Sequence, residues 1–531
     1  MPSQNRFKFF KTKEFRIFIT VWIVYVFYLQ MFGSGCMANS QSALTAAIAN
    51  EGRFEIDAYH KVSCDISYYK GHYYSGQPPG ISFISVPLYI LSKPIFYILP
   101  QETIDFTFSR LESYGGTLPV DYWGKKKILS SYFTGLSKRQ ILEYVFISGF
   151  ILPVFTTSLI SALSALLVYS FLKRFTSNEK LRVITTLFYA FGSIRFPLST
   201  QFLERPIAIV LMFTAFFIVF KIKHKEFEPK GSTLFWSGML AGLSAWFDYF
   251  HLFLSGFLFL YLLSSYVRDK AKKAKGLKKL WIFNLDKTRL LLLLKFIIGV
   301  SIPVLLLFLY YYIIFDNPFV NSYTHRIVPT SDAKISDITN IKIGLPSMVD
   351  LYWILLFFIN SPVILVAFYG VYRAFLKRDE YYHEALYTLA LIIFISAYAL
   401  ILVLAYPNLI TQFQRHMTPM LTYSMLFLPY ALSANKRNSK INTFFIMVGI
   451  LSIFSGWLLS QFNLLHFDPE SKQLILIPYF LQNGPESEFL NALSGIFNMN
   501  SLLLNLLGLA VLSLIIFFIW KPYLRNKGIK Q

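Results

Sequence analysis

The chain has 531 residues, of which 55% are apolar and only 15% charged, with a mean hydropathy of +0.50. A soluble globular domain carries roughly a quarter charged residues, so this composition, with its 55 Phe and 34 Tyr, excludes a soluble enzyme and a disordered chain; two cysteines exclude a disulfide-stapled scaffold. The net charge of +22 would suggest nucleic acid on a soluble chain, but the basic residues stand in short blocks between apolar runs long enough to cross a membrane, which makes nucleic acid a poor competitor here.

In chain order, the runs predict membrane spans over 15–32, 141–172, 181–200, 203–222, 232–248, 250–267, 290–315, 347–372, 384–406, 418–434, 442–462 and 501–520. Basic blocks fall between them, from Arg6 to Arg16, Lys173 to Arg182, Lys221 to Lys230, Arg268 to Arg289, Arg373 to Arg378, Lys436 to Lys440 and Lys521 to Lys530. The positive-inside rule places these blocks in the cytoplasm, which gives twelve crossings with both termini cytoplasmic. No cleavable signal peptide is expected. The run 81–99 breaks the parity. It is apolar enough to cross but carries Pro87 and Pro94, and a re-entrant or interfacial helix is favoured over a thirteenth span. The fold class is therefore an all-α polytopic membrane protein of about twelve, alternatively thirteen, helices in a single domain over 1–531.

This topology leaves three sizeable outer loops, at 33–140, 316–346 and 463–500. The first is the longest. Its aromatic content argues against disorder and for short amphipathic helices lying on the outer leaflet. Cys36 and Cys64 both fall in it. Outside the cytosol a bridge between them can persist, and two unpaired buried thiols are the simpler alternative.

Charged groups near hydrocarbon need a reason, and they gather on one side. The first loop holds Glu51, Asp57, Asp65, Lys70, His72, Tyr74 and Gln77; Pro78, Pro79 and Gly80 then lead into an apolar helix. Glu204 and Arg205 stand at the outer end of the third span, Asp248 at the next outer turn, Arg326 in F-D-N-P-F-V-N-S-Y-T-H-R, and Arg415 with His416 in Q-F-Q-R-H-M-T-P-M. Interhelix polar contacts and snorkelling arginines are the plain alternatives. His60, Asp57, Asp65 and His72 match no specific metal motif, so metal ligation stays open, with a divalent cation on carboxylates as one possibility. There is no Walker loop, no G-x-G-x-x-G before a helix and no G-x-S-x-G, which argues against nucleotide hydrolysis.

The stretch E-G-R-F-E-I-D…C-D-I-S-Y-Y-K-G-H-Y-Y-S-G-Q-P-P-G-I-S-F-I-S-V-P-L-Y resembles the first outer loop of membrane glycosyltransferases of the C superfamily. It is most similar to prokaryotic members related to protein O-mannosyltransferases and aminoarabinose transferases. F-G-S-I-R-F-P-L-S-T-Q-F, G-M-L-A-G-L-S-A-W-F-D-Y, F-D-N-P-F-V-N-S-Y and Q-R-H-M-T-P-M resemble further family segments in the same order, so the likeness covers most of the chain. It implies a sugar donor on a polyprenyl phosphate, an acceptor (protein, lipid or glycan) entering from outside, and an outer-loop carboxylate as general base with inversion at the anomeric carbon. A cation would meet the departing phosphate. Asn39 stands where many relatives carry the catalytic acid, so that role passes to Asp65, with Asp57 or Glu51 behind it. Gln77 replaces a common lysine, and Glu204 a common histidine. The resemblance further implies Arg415 and Arg326 as phosphate contacts and Glu204 and Asp57 as acceptor or metal contacts. Glu51, His72, Tyr74, Gln77 and Arg205 would line the site. Asp65, Glu204, Arg326 and Arg415 are expected to converge in one cavity on the extracytoplasmic side of the cell membrane. A transporter or lipid flippase is the rival reading, although no internal repeat is visible, and an inactive relative is a third, motivated by Asn39.

Overall fold

The apolar runs form helices of membrane-crossing length. The computed structural model describes residues 12–30, 35–114, 129–265, 286–328, 331–334, 355, 357–378, 380–405, 416–433, 439–461 and 484–528. Among these, seven segments are long and apolar enough to cross a membrane: Gly80–Ile98, Lys138–Phe175, Arg205–Lys223, Lys287–Phe315, Tyr382–Ile401, Lys440–Gln461 and Ser501–Pro522. Shorter helices, Lys13–Phe27, Gly231–Ser244 and the apolar His251–Ser264 among them, pack between these segments. Gly80–Ile98, expected to be re-entrant, has the length and hydropathy of a span and is interrupted at Lys93 before Pro94. The protein is a helical, multi-pass membrane protein.

Lys287–Phe315 shows how such a helix is partitioned. Leu293, Phe296, Gly299, Pro303 and Leu307 recur every three or four residues and are buried, while Leu290, Leu294, Ile297, Leu305 and Leu309 are exposed. An apolar side chain facing outward at that density belongs against lipid. The buried stripe meets the Gly231–Ser244 helix backbone to backbone. A Cβ on Gly242 would lie 2.9 Å from the Val300 Cα, and one on Gly299 2.9 Å from the Met239 nitrogen. Gly238 and Gly242 are four residues apart, the spacing by which small residues let membrane helices approach closely.

The helix ends sort by charge. Lys173 pairs with Glu14 at 2.7 Å and Arg174 with Glu226 at 2.6 Å, Lys13 pairs with Glu179, and His224 meets Glu384 at 3.1 Å. These contacts draw several basic blocks to one end of the bundle. The helix Arg205–Lys223 carries Lys221 and Lys223 in its last turn, where the helix dipole favours them. Its other end begins at Glu204, with Pro206 in the first turn.

The all-α expectation needs one correction. A four-stranded antiparallel sheet of order β2-β1-β3-β4 joins the first and second loops, with β1 at Ile66–Tyr69, β2 at His72–Ser75, β3 at Arg326–Val328 and β4 at Ser331–Lys334. The tyrosines of β1 and β2 favour a pleated surface over a helix. The β1–β2 turn is Lys70–Gly71, both at positive φ (48° and 91°), the mirror-image turn whose twist suits a tight hairpin. The first loop also contains a helix, Gly35–Glu51, that is buried along most of its length rather than lying on a leaflet. An amphipathic helix occurs at Gln101–Tyr114, where Ile104, Phe108 and Leu111 form the buried stripe. Cys36 and Cys64 are bridged, with their Cα atoms 5.0 Å apart, so the start of the loop is tied to the strand entry.

Candidate functional site

Strand pairing builds the central contact. Side chains alternate across a strand, so Asp65, one step before β1, shares a face with Ser67, and Ser67 stands opposite Arg326 of β3. The Asp65 carboxylate and the Arg326 guanidinium form an ion pair. Gln77 Nε2 donates to the second Asp65 oxygen at 2.8 Å. The Asp65 side chain is 4% exposed and that of Arg326 19%. Burial pulls the guanidinium down to about 10, which leaves it charged at neutral pH.

The backbone around Asp65 is held from several sides. Its carbonyl accepts from Ser40 Oγ at 2.6 Å and from the Gly76 nitrogen at 3.0 Å; its own nitrogen donates to Ser63 Oγ at 2.9 Å. Ser63 in turn donates to the Cys36 carbonyl at 2.5 Å. Gly76 comes so close that a Cβ there would lie 2.7 Å from the Asp65 carbonyl oxygen. The bridge, the serines and the glycine fix where the carboxylate points.

A second polar nest lies beside it. Gln41 Nε2 donates to Glu204 Oε2 at 2.5 Å. Arg205 Nε stands 3.6 Å from Glu204 Oε1 and 3.6 Å from Asp248 Oδ2. Glu204, Arg205 and Gln41 are buried. Adjacent residues of one helix, Ser40 and Gln41, reach into the two nests, and Gly80 binds the turn that carries Asp248 through its nitrogen to the Trp246 carbonyl at 2.8 Å. Two neighbouring clusters therefore contain Asp65, Gln77 and Arg326 in one and Glu204 and Arg205 in the other. No contact between Asp65 and Glu204 side chains occurs among the described residues.

The other expected residues lie elsewhere. Asp57 and His72 form a separate, half-exposed pair at 2.8 Å, and Asp57 also accepts from the Tyr73 nitrogen at 2.8 Å. The Asp57 carboxylate raises the His72 pKa above its ordinary value. Glu51 is exposed at the end of its helix. Tyr74 packs on Phe315 with its hydroxyl pushed up to about 12 by burial. Arg415 lies outside the described residues. Among the described residues no group of three or more His, Cys, Asp or Glu side chains is placed to hold a metal ion. Sequence reading had not assigned Ser40, Gln41 or Asp248 a role. Asp248 carried a signal, a carboxylate ending a small-residue helix, and Gln41 carried none.

No family model and no curated protein sequence matches the chain. Among solved structures, the archaeal oligosaccharyltransferase AglB from Archaeoglobus fulgidus, in complex with an inhibitory peptide and a dolichol-phosphate, is similar over 91% of this chain and 59% of that one. The identity is 13% and the TM-score 0.42. The chain thus spans less than two thirds of that protein's length.

Proposed function

We propose that the chain is a membrane glycosyltransferase that moves a sugar from a polyprenyl-phosphate donor to a protein, lipid or glycan acceptor at the outer face, with inversion. The observation that carries this reading is the buried Asp65–Arg326 pair, a base and a phosphate-binding cation assembled from two distant loops. The neighbouring nest, at the Glu204 end of Arg205–Lys223, lies opposite that helix's Lys221 and Lys223, which supports an extracytoplasmic site in the twelve-span topology. The Cys36–Cys64 bridge supports the same side, because disulfides persist outside the cytosol.

In the resting state the two charges neutralise one another. A bound donor brings its own negative charge, and arginine matches phosphate bidentately, so Arg326 turns from Asp65 to the phosphate and frees the carboxylate. The acceptor hydroxyl gives its proton to Asp65. Its oxygen forms the new bond to the anomeric carbon as the bond to the phosphate oxygen breaks, and the electron pair leaves on that oxygen. Arg326, with Arg415 as the second contact, meets the developing charge. Gln77 orients Asp65, and Glu204, Arg205 and Asp248 bind acceptor hydroxyls.

The test is transfer by purified protein in nanodiscs, supplied with radiolabelled polyprenyl-phosphate sugars and a crude acceptor extract. Wild type is expected to transfer sugar, and Asp65→Asn to lose about 10²–10⁴-fold, the usual worth of a positioned base. Movement of lipid or solute without transfer would establish the transporter reading instead.

A further inference from the structure

Between Phe191 and Arg205 the chain interrupts its helix twice. Glu179–Phe191 ends at Gly192, a five-residue helix Arg195–Ser199 follows, and Arg205–Lys223 begins only after an irregular stretch. The long helix beside it switches into π-helical geometry at Ile147–Ile151 and again at Val154–Ser158. Residues of the second π-helical stretch satisfy the broken backbone: Ser158 Oγ donates to the Ser199 carbonyl at 2.9 Å and Thr157 Oγ1 to the Leu203 carbonyl at 3.2 Å. Irregular backbone at membrane depth is tolerated where protein or a polar cavity surrounds it, and π-bulges recur at functional sites.

Arg195 sits in this break and is 2% exposed. Its guanidinium lies 4.6 Å from the centre of the Tyr189 ring, and Nη2 donates to Ser164 Oγ at 2.5 Å. Nε and Nη1 have no hydrogen-bond partner among the described residues, and no carboxylate pairs with the group there. The hydroxyl of Ser161, one turn before Ser164, likewise has no hydrogen-bond partner among the described residues, and the Tyr25 hydroxyl lies near both the Arg195 guanidinium and the Ser199 side chain. Ser164 lies nine residues before Lys173, and Tyr189 nine after Lys180. At about 1.5 Å per residue that is about 14 Å from the basic end, near the middle of a hydrocarbon core about 30 Å thick.

Several other charges among the described residues are compensated. Arg326 has Asp65, Arg205 has Glu204 and Asp248, and Glu384 has Lys223 and His224. An ionised group at membrane depth is kept with a partner, and a tyrosine face supplies only part of one. We propose that Arg195 is the centre of an anion site that takes a small inorganic monoanion of the halide class, held by Nε and Nη1 with the Ser161 hydroxyl. The single positive charge sets a single negative one, and the near-complete enclosure of the guanidinium selects an ion without a bulky hydration shell. The same irregular stretch leads from Arg195 to Glu204, so the anion fixes the backbone that presents the second polar nest.

The experiment follows thermal unfolding of the purified full chain in dodecyl maltoside at constant ionic strength, with sodium gluconate replaced stepwise by sodium chloride or bromide. A ligand that binds only the folded state raises Tm with the logarithm of its concentration above Kd. Wild type is expected to show that rise with both halides. Arg195→Gln should be flat. Arg195→Lys keeps the charge but loses the fork, so its rise should begin at higher halide; it also serves if the glutamine variant does not fold. Equal wild-type Tm in gluconate and halide would overturn the proposal, as would an Arg195→Gln or Arg195→Lys curve superimposed on the wild type. Stabilisation by added phosphate with none from halide would overturn it too.

Discussion

Asp65 and Arg326 neutralise each other where neither is well hydrated, and that makes their failure asymmetric. Removing one partner leaves the other as an uncompensated buried charge, which costs about 3–5 kcal/mol; removing both leaves two neutral groups in a protein interior that tolerates them. Asp65→Asn and Arg326→Gln should therefore each lower stability by about that amount, and the double variant should lose clearly less than the sum. Denaturant unfolding of the four proteins in one detergent measures it. Additive losses would show that the pair is not coupled, and with that the proposed hand-over of Arg326 from carboxylate to donor phosphate would lose its basis. The Asp57–His72 pair should behave differently, since both members are half-exposed and exposed pairs contribute little.

At the level of elements, close helix contact fixes the frame of the second nest. The helix Gly231–Ser244 can approach Lys287–Phe315 only because Gly238, Gly242 and Gly299 carry no side chain, and the turn that follows it presents Asp248. Gly242→Leu must push the two helices apart, since even a Cβ meets the Val300 backbone at 2.9 Å. Overpacking of this kind costs about 1–3 kcal/mol or more; the expected outcome is a lower Tm together with weaker transfer, whereas Gly256→Ala, where a Cβ meets nothing within 4 Å, should change neither. The small-residue character of this helix was legible in G-M-L-A-G-L-S, and so were the long spans, because hydropathy and length are local properties. A hairpin signal was present too, in the K-G turn of I-S-Y-Y-K-G-H-Y-Y-S, but its aromatic richness also fits a membrane interface. What no local pattern could supply is the pairing of β1 with the three-residue β3. That contact joins residues far apart in the chain, and it decides that Arg326, rather than any nearer cation, meets Asp65. The same holds for Gln41, whose neighbour Asn39 drew attention as a missing acid while Gln41 itself was the residue in contact with Glu204.

Across the whole molecule, one asymmetry ties chemistry to compartment. The helix Arg205–Lys223 has 19 residues, about 28 Å at 1.5 Å per residue, close to the thickness of a hydrocarbon core. Glu204 precedes one end and Lys221, Lys223 and Lys225 cluster at the other, so the two polar nests and the basic ends cannot share a side. Because Cys36 and Cys64 are bridged and no other cysteine is present, a single introduced thiol reports its side cleanly. His72 and Lys225 are both exposed and lie at opposite ends. His72→Cys should react with a membrane-impermeant maleimide on intact cells, and Lys225→Cys only after permeabilisation. The reverse pattern would place Asp65 in the cytosol, where reductants act on the bridge and the basic blocks would face outward against the positive-inside rule; the glycosyltransferase proposal could not survive it. Labelling of both thiols without permeabilisation would mean that Arg205–Lys223 does not span the bilayer, because a helix of this length can expose both ends on one side only by lying along the surface, with residues such as Phe213, Phe216 and Phe220 left unable to pack as they do here.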